Sequence, residues 1–187
     1  MQWNGFKIPI VLLALLIGLT VLLGGQWAYN KYSFQDPLEQ VLGEQTVVSD
    51  FSVNDDGEVL VVKLKLDKTT NLMEDYQEID KLIRKIVNKR AFRIELVDDP
   101  NDILLNAYYN SQFAIHEAII KGSFRQMASV VHESAIEAGG SAKIYIGSQK
   151  IYLQMTHGDH YLYKVISRED VPGISLPVTG GGGNYYD

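Results

Sequence analysis

The chain has 187 residues, a formal net charge of -6 and no cysteine. The missing cysteines exclude disulfides, thiolate metal sites and cysteine nucleophiles, and the acidic balance argues against a general nucleic-acid binder, because phosphate recognition draws on a basic surface. The length suits one domain with a real core once an apolar run near the start and a Gly-rich run near the end are set aside.

Residues 1–7 read as a short N-terminal segment. From Ile8 to Leu23 the sequence IPIVLLALLIGLTVLL has no charge, and with its flanks it reaches the roughly 20 residues a helix needs to cross hydrocarbon. Residues 8–25 are therefore expected to be a transmembrane helix. Trp3 before the run and Trp27, Tyr29 and Tyr32 after it are ring types that favour the headgroup region, and Pro9 falls in the first turn, where its missing N–H is harmless. A cleaved secretory signal has the same order of Lys7, apolar run and small residues, but no A-x-A site comes after it, so retention as a signal anchor is expected. Lys7 lies before the run, and Lys31 after it is soon joined by Asp36 and Glu39. That balance biases the chain toward N-inside and puts its larger, C-terminal part on the extracytoplasmic side.

Residues 26–43 read as a juxtamembrane stalk ending in a short helix that Asp36-Pro37 opens and Gly43 caps. A soluble α+β domain over 44–167 is expected next. Val47, Phe51 and Val53 alternate with polar residues, Asn54 to Gly57 supplies turn chemistry, and Leu60, Val62, Leu64 and Leu66 alternate again, which predicts a hairpin with one buried face. Asn71 and Glu74 form a capping box for a helix with Leu72, Tyr76, Ile79, Ile83, Ile86 and Val87 on one side, and Ala91 to Val97 returns to strand period. Between two strands such a helix predicts a right-handed crossover within one sheet. The order helix, strand, strand, helix, strand over 36–98 resembles the small αββαβ modules of BON-type domains and of ring-building subunits in bacterial secretion and sporulation channels. It is a resemblance of element order, so it implies a fold and carries over no functional residue.

Asp99-Pro100-Asn101-Asp102 opens a long helix with an apolar stripe at Leu105, Tyr109, Phe113, His116, Ile120, Phe124, Met127, Val131 and Ala135, and Ala138-Gly139-Gly140 stops it. Gly122-Ser123 is the point where this element can break or bend. His116, on the stripe, reads as a hydrogen-bonded core residue. His132 is about 24 Å further along a straight helix, too far to act with it.

The last three strands form an antiparallel meander: Ala142 to Ile146, Gln149 to Thr156 and His160 to Ser167. In the second turn His157, Asp159 and His160 are the densest metal-ligand types, able to hold a divalent cation if other ligands joined them. They are also ordinary turn residues and lack the helical H-E-x-x-H geometry, so neither a metal nor a cofactor is expected. Asp55-Asp56 and Asp98-Asp99 are explained as a hairpin turn and a helix start. Lys143, Tyr145, Lys150, Tyr152 and Lys164 are expected on one face of the meander. Tyrosines interleaved with lysines suit a protein contact, unless the long helix covers that face. Residues 168–187, rich in Gly and without period, are expected to be a disordered tail.

No nucleophile elbow, phosphate loop or dinucleotide fingerprint occurs. The expectation is a non-enzymatic interaction or assembly accessory domain on a single-pass anchor, in contact with the membrane and with a protein partner or a homo-oligomer, and not with nucleic acid. A membrane-tethered ligand-binding sensor and a metal-dependent hydrolase built on His157 and His160 are the alternatives.

Overall fold

The computed structural model describes residues 8–55 and 59–169. The N-terminal segment, the hairpin turn after Asp55 and the expected tail beyond Glu169 lie outside them. Within the described residues the fold is α+β, with five α-helices and two three-stranded sheets.

The apolar run forms α1, Ile8–Asn30, and its side chains from Pro9 to Gly25 are all exposed. Among the described residues no helix is long and apolar enough to cross a membrane. α1 continues through one π-helical turn, Lys31–Gln35, into the short helix α2, Asp36–Gly43. Pro37 brings no N–H to that turn, where the backbone ladder changes register.

The chain divides into two compact units, one holding residues through Asp67 and Gln77–Glu95, the other Lys68–Tyr76 and the residues from Leu96 onward. In the first, β1, Val48–Asp55, and β2, Leu60–Leu66, form the antiparallel hairpin, with an irregularity between Val48 and Asp50. Leu60, Val62, Leu64 and Leu66 are buried while Lys63 and Lys65 are exposed, as a two-residue period dictates. A helix, α3, Leu72–Val87, leads to β3, Phe92–Val97, which lies beside β2. The Leu60 N–H donates to the Ala91 carbonyl at 3.0 Å. The starts of β2 and β3 are therefore side by side, so the two strands run parallel and α3 is the expected crossover. Ile79, Ile83 and Val87 repeat every four residues on its buried side. Asn88, at φ 57, ends the helix in the left-handed conformation that asparagine tolerates.

The second unit contains α4, Asp102–Lys121, α5, Phe124–Glu137, and an antiparallel sheet of β4, Ser141–Ile146, β5, Lys150–His157, and β6, His160–Ser167, in that order. The Asn101 side chain caps α4 by accepting from the Leu104 N–H at 3.0 Å. The expected single long helix is two helices. Gly122, at φ 72, ends α4, and α5 starts afresh at Phe124.

This break shifts the helix phase, and the stripe from Leu105 to Ala135 assumed that it would not. Met127, Val131 and Ala135 are buried as expected. Carried backward through an unbroken helix, their spacing selects Ile120, His116, Phe113, Tyr109 and Leu105. In α4 the buried residues are instead Leu104, Ala107, Ser111, Ile115 and Ala118. Leu104, Ala107, Ile115 and Ala118 pack with Ile151, Leu153, Met155 and Leu162 of the sheet. His116, expected in the core, is exposed.

Candidate functional site

The register of the sheet decides which side chains share a face. Lys143 is opposite Gln154, and Tyr145 is opposite Tyr152. Across the other ladder Gln154 is opposite Tyr163, Tyr152 is opposite Val165, and Leu153 is opposite Lys164. Lys143, Tyr145, Lys150 and Tyr152 thus share a face as expected. Lys164 is on the other face, with Leu153, because residues alternate strictly along each strand. There its ammonium bonds Asp98 Oδ2 at 3.1 Å.

The tyrosine and lysine face is occupied from within the same unit by the segment Lys68–Tyr76. The Lys143 ammonium donates to the Thr70 carbonyl at 3.3 Å, and the Tyr145 hydroxyl donates to the same oxygen at 3.0 Å. Gln154 Nε2 donates to the Thr69 carbonyl at 2.6 Å, and the Thr69 N–H donates to the Tyr163 hydroxyl at 3.2 Å. The Thr69 hydroxyl also bonds Asp75 and accepts from the Asn71 N–H. Tyr76 meets Tyr152 edge to face with centroids 5.7 Å apart, and Lys150 sits 4.8 Å above the Tyr76 ring. Tyr152 is buried. The expected reason for covering, a helix lying over the sheet, holds for the opposite face.

The histidine turn is also divided among separate partners. His157 Nδ1 is 2.9 Å from Asn101 Nδ2, His160 Nδ1 is 3.2 Å from both the Asp99 carbonyl and its carboxylate, and Asp159 accepts from Lys68 at 2.9 Å. Among the described residues no three of His, Cys, Asp or Glu are placed to share a metal ion. A cation at this turn would have to displace those three separate partners.

The Lys68 hydrogen bond, then the Lys68 charge, hold the Asp159 carboxyl below its ordinary value. A carboxyl whose folded value is lowered favours folding above the ordinary carboxylate range, and that contribution is lost as pH falls through the lowered value. Replacing Lys68 with methionine is expected to return the Asp159 midpoint upward toward the ordinary carboxylate range, read by carboxyl carbon NMR titration. An unmoved midpoint would show that the pair does not form in solution. Because the Asp159 side chain is fully exposed, the variant's melting temperature should match the parent's.

The feature that the apolar pattern of the sequence does not announce is the outer face of α4. Leu105, Tyr109, Phe113 and Ile120 are 45%, 60%, 67% and 68% exposed, although each is a residue type that usually goes inside. Tyr109 and Phe113 touch edge to face, with centroids 6.0 Å apart. Beside Phe113 a cleft of about 230 Å³ opens between α4 and α5, walled by Ala114, Met127 and Val130 among others. The signal present in the sequence is a second, smaller stripe at Ala107, Ser111 and Ala118, which are among the buried residues of α4. No protein-family model matches this chain, and no curated protein or solved structure is significantly similar to it.

Proposed function

We propose that this is a single-pass, membrane-anchored, non-enzymatic protein whose extracytoplasmic part makes protein contacts as an assembly or accessory subunit. The observation that carries the contact reading is the exposed aromatic face of α4, since apolar patches of this kind on monomers are frequently binding sites. The anchor reading rests on the uncharged run from Ile8 to Leu23, which as a bare helix would leave leucine and isoleucine in water along its whole length.

Carbonate washing of membranes from cells making the full chain is the test. The protein is expected to stay in the pellet, and protease added to intact cells or spheroplasts is expected to remove everything after about residue 30. Recovery of the intact chain in the soluble fraction would refute the anchor. Protection of the soluble part from external protease would refute the sidedness.

A further inference from the structure

We propose that the outer face of α4 is a self-association surface, on which two copies pair antiparallel about a twofold axis at residues 112–113. This names the partner in the contact reading above and rests on that reading.

The face is depleted of charge. From Ile103 to Ile120 the sequence ILLNAYYNSQFAIHEAII carries a single charged residue, Glu117, in a chain where 21% of residues are charged. Such depletion, with aromatic enrichment, marks the core of an interface. Together the exposed parts of Leu105, Tyr109, Phe113 and Ile120 amount to on the order of 500 Å². With neighbouring Ile103, Asn106, Asn110 and His116 added, the face approaches the roughly 800 Å² per partner of a standard interface.

The order of residues along the face suits a second copy in particular. A twofold axis sets each position against another of the same chain. With the axis at 112–113, Leu105 faces Ile120 of the other copy, Tyr109 faces His116, and the two Phe113 rings meet. Apolar or aromatic groups then oppose each other at these three steps. Asp102 lies in the first turn of α4 and Lys121 in the last. Antiparallel pairing brings acid to base at both ends and sets opposite ends of the helix dipoles side by side. Parallel pairing would bring Asp102 to Asp102 and Lys121 to Lys121. Lys121 already pairs with Glu117 at 2.6 Å, but both are exposed, so sharing the ammonium costs little. The cleft that Phe113 lines with Asn110, Glu117 and Met127 opens near the axis, beside the place where the two Phe113 rings meet. A bilayer surface suits the face less well, because helices lying on lipid border their apolar side with Lys and Arg, and none occurs from 103 to 116.

The absence of native cysteine makes the test direct. Full-length protein carrying Phe113→Cys, oxidised in native membranes, is expected to form a disulfide-linked dimer at least tenfold more abundant than Lys65→Cys does. Leu105→Cys and Ile120→Cys are each expected to stay monomeric alone, since like positions lie about 22 Å apart in an antiparallel pair, and to crosslink when the two variants are co-expressed. Adding Phe113→Asp to that pair should cut the crosslink at least tenfold, and because Phe113 is exposed the chain remains folded. Self-crosslinking of Leu105→Cys would overturn the antiparallel register. No crosslink at any position would overturn self-association, whether an environment-sensitive dye at position 113 then reports lipid or α4 is found holding a different protein. In the latter case the contact reading survives alone. A chain that leaves the membrane fraction yet keeps the crosslink pattern would sink the anchor and support the dimer.

Discussion

Replacing Gly140 with alanine is expected to destabilise the second unit by about 3 kcal/mol or more. Gly140 joins α5 to β4. A Cβ there would lie 2.5 Å from the Thr156 carbonyl oxygen and 3.5 Å from the Ala135 carbonyl oxygen. Neither neighbour can retreat. Thr156 is held in the ladder opposite Ser141, and the Ala135 carbonyl accepts the Gly140 N–H at 2.8 Å. The new methyl group therefore clashes with the Thr156 carbonyl, and relief requires the helix end or the β4–β5 pairing to move. Gly43→Ala is the matching control. It adds a methyl group at the end of α2 with nothing within 4 Å, so it should be neutral or stabilise by up to about 1 kcal/mol. Urea unfolding followed by amide exchange reads both, in β5 for Gly140→Ala and in β2 for Gly43→Ala. Equal protection in parent and Gly140→Ala would show that the close approach does not exist.

Strands are legible where one face is buried and the period is two. Leu60, Val62, Leu64 and Leu66 announce β2 because a slip of one residue would expose all four. Helix phase is harder. α4 and α5 each have an apolar side, but their relation depends on Gly122, and a glycine in sequence does not say whether it adopts the left-handed conformation or continues the helix. The placement of Lys164 fails for a different reason. His157 pairs with His160, leaving Gly158 and Asp159 as a two-residue turn, and counting outward from that turn sets Lys164 opposite Leu153. Counting from the apolar residues of β6 alone does not settle it, because Tyr161, Leu162 and Tyr163 are all buried and both faces look inward. The seat for Lys68–Tyr76 is invisible locally, since residues some 70 to 90 positions apart build it. The tyrosines and lysines do signal an interface, but within the same unit.

Leu153→Ala carries the other large expected loss, about 3–4 kcal/mol. Leu153 has no exposed surface and lies at the middle of the central strand, between Ile144 and Lys164 in register. Its side chain belongs to the cluster with Leu104, Ile115 and Val131. Because ladders on both sides pin β5, the strand cannot collapse into the space left by truncation, and cavity cost adds to lost transfer energy. Two further truncations show whether the helix phase behind that cluster is right. Leu104→Ala is expected to cost about 2–4 kcal/mol, since Leu104 is buried in the same cluster. Leu105→Ala, one residue along and 45% exposed, should cost under about 1 kcal/mol in dilute protein, where copies are apart. If α4 instead kept the phase of α5 through an unbroken Gly122, Leu105→Ala would be the costly change and Leu104→Ala the cheap one. Then the outer face of α4 would be core, and Phe113→Cys would be too buried to crosslink. The two leucines therefore test, by stability alone, the geometry on which self-association depends.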